Sequence, residues 1–199
     1  KNSLFRWRPR KDNRRVWHVH GEALQPASIM LGSGHYISHT ARIREYLSRS
    51  PEGGEEWRES RARSPLITPA SEDVQEFVTP DRAKWSWVDE FLVGRVHILG
   101  FGFPESETLL WWLLMFRQRE ARRPVAKRRF NPGKITMYCA PAKMASNSDE
   151  QLRRNAHNKL MRSFEVEVLE LGGTETDFSY STFYREAVAT IGKRMKKPE

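Results

Sequence analysis

The run Val16-Trp17-His18-Val19-His20-Gly21-Glu22 carries apolar residues into a His-Gly corner. An imidazole titrates near neutrality, so His20 is a group that can accept a proton and return it. On pattern alone a structural histidine is the commoner reading of that position. Gly21 permits a turn that a Cβ would hinder and lets the backbone approach a ligand, while Glu22 either orients His20 or lies at the surface. A second constellation, Gly100-Phe101-Gly102, follows the apolar run Val96-His97-Ile98-Leu99 and precedes a helical stretch. That form brings a helix N-terminus to a ligand. The third glycine of a dinucleotide fingerprint is missing, because Glu105 stands there, and Glu105 with Glu107 would repel a phosphate. Backbone groups of the turn and Glu107 suit sugar hydroxyls better.

These residues need elements to hold them. Val16 to His20 reads as a strand, and the short apolar run Ile29 to Leu31 ends in Gly32-Ser33-Gly34, a turn. Ile43 and Leu47 sit four apart behind Ser38, a potential N-cap, which predicts a helix over 38–48. Residues 50–82 are rich in Pro, Gly, Ser and charge without a period, and predict a long loop or insertion that could cover a site. Helical spacing resumes over 85–93, and a strand follows over 96–100. Next comes an apolar helix over 106–120, largely buried against a sheet, in which the Trp111-Trp112 pair reads as core. Beyond a basic turn come a strand over 134–139, a helix over 148–162, a strand over 164–171 and a last helix over 181–195. Strands alternating with helices predict an α/β, Rossmann-like fold, a mostly parallel sheet of about four strands flanked by helices. Residues 1–15 form a basic N-terminal segment ahead of it. Ligands in such sheets collect at the C-terminal ends of the strands, where both His20 and Gly100–Gly102 are expected to fall.

The ordered set of motifs resembles the sirtuin-like, NAD-consuming domains of bacterial anti-phage defence proteins. The residues that carry the resemblance are His20-Gly21, Ser28-Ile29-Met30-Leu31-Gly32 with His35-Tyr36, Tyr46-Leu47, Ser86-Trp87-Val88-Asp89-Glu90-Phe91, and Val96 to Gly102 leading into Trp111-Trp112-Leu113-Leu114. The resemblance implies that His20 is the catalytic residue, taking a proton from a ribose hydroxyl or from attacking water as the nicotinamide bond breaks. It implies that His35 and Tyr36 line the ligand pocket together with Gly21, Gly100, Phe101, Gly102 and Glu107. The implied activity is hydrolysis of NAD to nicotinamide and ADP-ribose, which in defence depletes the NAD of an infected cell, and no metal is implied. Leu109 stands where relatives often carry a second carboxylate. The glycine-rich phosphate loop and the Asn motif of the family do not occur before Val16. The chain therefore resembles the C-terminal portion of the domain, 16–199, to be completed by an upstream segment of the same or a partner protein.

Composition narrows the alternatives. With 199 residues, 38% of them hydrophobic, the chain is long enough for one domain with a real core. No run approaches the roughly 18 to 20 apolar residues of a membrane span, and no apolar signal core follows the basic N-terminus, which predicts a soluble cytoplasmic protein without a membrane partner. The single cysteine, Cys139, lies in an apolar run and reads as a small buried hydrophobe. A net charge of +9 and a pI near 9.9 favour an anionic partner without choosing one. The cluster Arg117 to Arg129 has the cationic density to touch phosphates, though a solvated helix end is the simpler reading. Two further classes therefore stand beside the hydrolase: a non-catalytic nucleotide-binding or regulatory remnant, and a nucleic-acid-binding module. A homo-oligomer is compatible with each.

Overall fold

The computed structural model describes residues 8–9, 15–20, 29–30, 32–48, 66, 85–141, 147–173 and 178–195. They gather into two compact units, one comprising residues 1–94 and 120–132, the other residues 95–119 and 133–199. Among the described residues no helix is long and apolar enough to cross a membrane.

In the first unit β1 (Arg8–Pro9) and β2 (Arg15–Val16) form a two-stranded antiparallel ribbon. This corrects two expectations. Part of the basic N-terminal segment is paired, and the strand expected over 16–20 stops after Val16, with Val19 and His20 in a turn. A central parallel strand is covered on both faces and needs a nearly continuous apolar run. Val16 to His20 instead places His18 and His20 in solvent.

Helix α1 (Gly32–Ser48) starts six residues earlier than Ser38, so Gly32-Ser33-Gly34 is its first turn rather than a separate one. Gly32 has φ +75°, the left-handed conformation that glycine adopts without a Cβ penalty. Its buried face is His39, Ile43, Tyr46 and Leu47, spaced by four, three and one. Helix α2 (Trp87–Val93) is short and opens with a capping box: the Asp89 N–H donates to Ser86 Oγ (3.3 Å) and the Ser86 N–H donates to Asp89 Oδ2 (2.8 Å). Gly94 ends it, donating its N–H to the Glu90 carbonyl at 2.8 Å. A Cβ there would stand 2.4 Å from that carbonyl oxygen, so only glycine fits without a shift. The long segment 50–82 falls outside the described residues except for Leu66, which is buried.

The second unit is a three-stranded parallel sheet flanked by helices, an α/β Rossmann-like arrangement in the order β3 (Val96–Leu99), β4 (Ile135–Cys139), β5 (Val166–Glu170). Among the described residues the sheet has three strands where about four were expected, because the first expected strand starts in the ribbon. The register aligns Leu99, Tyr138 and Leu169 on one face, where Phe183 and Ala187 of α5 (Tyr180–Met195) pack. On the other face Asn158 of α4 (Ser148–Ser163) donates to Glu170 at 3.1 Å. Helix α3 (Thr108–Ala121) lies beside α4, with Gln118 donating to the Ser163 carbonyl and Trp111 against Phe164. Leu109, Leu113 and Leu114 of α3 are buried, as its apolar circumference requires, whereas the Trp111-Trp112 pair is half-buried rather than core.

Candidate functional site

His20 lies in the first unit, exposed, at the end of a turn that the main chain pins: the Met30 N–H donates to the His20 carbonyl at 3.0 Å. Met30 thus lies alongside His20. Helix α1 begins two residues after Met30 and presents Tyr36 on its first turns. The Tyr36 ring centroid is 5.9 Å from that of His20, with the planes tilted by 48°. His35, adjacent in sequence, is exposed, and Gly21 lies outside the described residues.

One turn along α1, His39 is buried and stacks on Trp87 of α2 (6.5 Å, 13°). Burial pushes its pKa down to about 4, with Arg42 and His20 adding electrostatic pressure in the same direction. His39 is therefore a neutral imidazole at neutral pH. Below them the helices are joined through a buried carboxylate. Asp89 accepts hydrogen bonds from the Tyr46 hydroxyl, from the Ser86 N–H and from Ser86 Oγ, the last two at 2.8 Å, and neither Asp89 nor Ser86 has exposed surface. Tyr46, Ser86 and Asp89 sit within the motifs that carry the family resemblance. Sequence reasoning treated them as strings and did not foresee that they form one hydrogen-bonded node; an acid three residues after a serine is the capping-box signal that points to it.

The second constellation lies in the other unit at the C-terminal end of β3. Gly100 adopts φ +68°, exposed Gly102 has open space where a Cβ would be, and Phe101 packs edge-on to Phe103 at 5.6 Å. Phe103 is itself left-handed (φ 49°), fully buried, and edge-on to Trp111 at 4.7 Å. A bulky residue in that region is strained and persists only when its surroundings dictate it. Half-buried Glu107 closes the turn into α3, donating its N–H to the Pro104 carbonyl (3.0 Å) and accepting from the Trp111 N–H (3.1 Å). The Trp111 indole N–H also donates to the Pro104 carbonyl, at 3.1 Å, which fixes the same turn. The structure thus brings His20 together with Tyr36 in one unit, and Gly100, Phe101, Gly102 and Glu107 together in the other. His20 itself follows an antiparallel ribbon and not a parallel strand, which corrects the expectation for it.

Several other chemistry-bearing groups among the described residues are spent on structure. Cys139 is half-buried, and burial, reinforced by Glu170, pushes its thiol up to about 11, so it is no nucleophile at neutral pH. Arg117 is buried, its pKa lowered to about 10 by desolvation, and donates to the Gly133 carbonyl. Arg123 and Arg129 pair with the buried carboxylate of Glu120 at 3.1 and 3.7 Å. Arg128 donates to the carbonyls of Ala121 and Arg123 and to Asn131. The basic cluster is therefore in good part a set of internal contacts and not simply a solvated helix end. On the α5 face of the sheet, His97 Nδ1 lies 3.0 Å from the Tyr138 hydroxyl. Burial, then Arg194 and Arg95, lower the pKa of His97. Among the described residues no three His, Cys, Asp or Glu side chains form a group able to hold a metal ion. Comparison of the chain with protein-family models, with curated proteins and with solved structures finds no match.

Proposed function

We propose that this chain contributes to a sirtuin-like domain that hydrolyses NAD to nicotinamide and ADP-ribose, with His20 as the base. The observation that supports this most is the pairing of His20 with Tyr36: an exposed imidazole, held from behind through its own carbonyl, beside an aromatic ring from the neighbouring motif. An exposed imidazole can exchange protons with solvent, and an adjacent ring offers a face for a planar ligand. In the reaction, water attacks the anomeric carbon of the nicotinamide ribose, the carbon–nitrogen bond breaks, and nicotinamide leaves with the bonding pair. His20 takes the proton that water gives up and returns it to solvent. In the other unit, the backbone groups of Gly100, Phe101 and Gly102 and the carboxylate of Glu107 are of a kind that suits sugar hydroxyls.

A nucleic-acid-binding role is supported less. Arg117, Arg123, Arg128 and Arg129 are engaged with internal carbonyls and with Glu120, which reduces the density of guanidinium groups available to phosphates.

Nicotinamide release by the protein, with and without His20→Ala, tests the reading. The protein should turn NAD over, and His20→Ala should lower turnover by at least about a hundredfold. A protein indifferent to His20→Ala would overturn the assignment.

A further inference from the structure

Tyr184 belongs to none of the motifs considered so far, yet its position is specific. It lies on α5, one residue beyond Phe183, which is buried against Tyr138 and Leu99. Its ring stands edge-on to that of Phe183 at 5.1 Å and points back to the end of β3. There its hydroxyl lies 3.2 Å from the place a Cβ would occupy on Gly100, and its Cε1 lies at 3.8 Å. Gly100 is left-handed and exposed, so the Tyr184 hydroxyl sits beside the backbone of the strand-end turn without a side chain between them. Tyr184 is 45% exposed, and its hydroxyl makes no hydrogen bond to any described residue. Packing alone holds a phenol hydroxyl at the C-terminal end of a parallel strand, the place where ligands of such sheets are bound.

We infer that Tyr184 is a ligand-binding residue of the Gly100–Gly102 turn and hydrogen-bonds a sugar hydroxyl of the ligand. The inference rests on the NAD-hydrolase reading for the identity of that ligand, and it deepens the reading by adding a residue from the last helix. A neutral phenol can donate to and accept from a sugar hydroxyl. The turn is followed by exposed Glu105 and half-buried Glu107, whose charges disfavour a phosphate at the same place. Gly102 is exposed and nothing lies within 4 Å of the place its Cβ would occupy, so the turn is open to a ligand on that side. Of the moieties of such a ligand, the uncharged ribose suits this turn better than the pyrophosphate.

The test is the affinity of the full-length protein for ADP-ribose, measured by calorimetry for wild type, Tyr184→Phe and His20→Ala, with a thermal midpoint for each. Tyr184→Phe keeps the ring against Phe183 and removes only the hydroxyl. It should weaken ADP-ribose binding about tenfold, the usual worth of one hydrogen bond to a ligand hydroxyl, and leave the midpoint unchanged. His20→Ala should keep the affinity within a few-fold while abolishing turnover. Unchanged affinity in Tyr184→Phe overturns the inference and leaves the hydrolase reading standing. A midpoint that falls with no loss of affinity shows a structural role and also overturns it. A wild-type protein that binds neither NAD nor ADP-ribose removes both.

Discussion

Asp89 and Glu120, in the first unit, are carboxylates with no exposed surface, whereas Glu167 and Glu170, in the parallel-sheet unit, both lie at the surface. The difference follows from how each unit satisfies its backbone. A parallel sheet pairs N–H and C=O groups along its ladders, so its strands can bury apolar side chains, here Ile98, Met137, Val166 and Val168, while the carboxylates of β5 stay at the periphery. Among its described residues the first unit has the α-helices α1 and α2, a single 3-10 turn and a ribbon of two two-residue strands. Its helix ends and chain turns meet in the interior and need polar partners there, which Asp89 supplies to Ser86 and Tyr46, and Glu120 to the Arg129 N–H at 3.1 Å. A buried carboxylate with several donors is costly to disturb, while an exposed ion pair is not.

The largest expected effect tests that contrast directly. Asp89→Ala strips the acceptor from three buried donors and should cost about 3–5 kcal/mol in a urea unfolding curve. A loss below about 1 kcal/mol would erase the distinction between the units.

Acid should sharpen it. The folded-state pKa of His39 is depressed from 6.5 to about 4, so its contribution is fully present above pH 6.5 and is lost as pH falls through that window, because only the unfolded chain gains the proton. The loss should approach about 3 kcal/mol at pH 4, at about 1.4 kcal/mol per pH unit. His97 and His157 in the sheet unit are also lowered by burial and act in the same direction. The pH dependence of unfolding free energy should therefore flatten, without vanishing, in His39→Gln. An unaltered slope in that variant would mean that His39 is protonated in the folded protein.

A smaller effect belongs to the sheet unit. Gly100→Ala forces a Cβ into the left-handed region and against the Tyr184 hydroxyl at 3.2 Å, and should cost about 1–2 kcal/mol. Wild-type stability in that variant would show that the turn relaxes freely. The smallest effect is at the exposed pair. Arg194 and buried Thr136 both donate to Glu167, and those hydrogen bonds, that of Arg194 first, hold the Glu167 carboxyl below its ordinary pKa. Glu167 is 46% exposed, so solvent screens the pair, and Glu167→Gln should cost under about 1 kcal/mol at neutral pH. That contribution should fade only as pH drops below about 4.5, by which point most of the His39 contribution has already been lost. A cost as large as that of Asp89→Ala would show that surface pairing matters as much as the buried node.

Much of the sheet unit was legible from residue patterns. Val-His-Ile-Leu, Ile-Thr-Met-Tyr-Cys and Val-Glu-Val-Leu-Glu are short β-rich runs separated by stretches of helical length, and the helices fall within two residues of where spacing puts them. The capping residues of α2 were equally local, since Ser86 and Asp89 lie three apart. The His-Gly corner was less legible. Whether Val16 to His20 joins a sheet depends on which strand is offered to it, and the partner turned out to be Arg8–Pro9, a pairing that no local pattern announces.

The sequence by itself determined what depends on neighbours in the chain: the periodicity of each element, the capping of α2, the α/β alternation, and the chemical types available at the His-Gly corner and at the Gly-Phe-Gly turn. Tertiary structure decided what depends on residues far apart. It placed Tyr36 beside His20, made an acceptor of Asp89 for Tyr46 43 positions away, drew the arginines of the basic cluster onto Glu120 and nearby carbonyls, and set Tyr184 over Gly100. Such contacts are chosen by packing and by the need to satisfy buried polar groups, and both are properties of the folded chain as a whole.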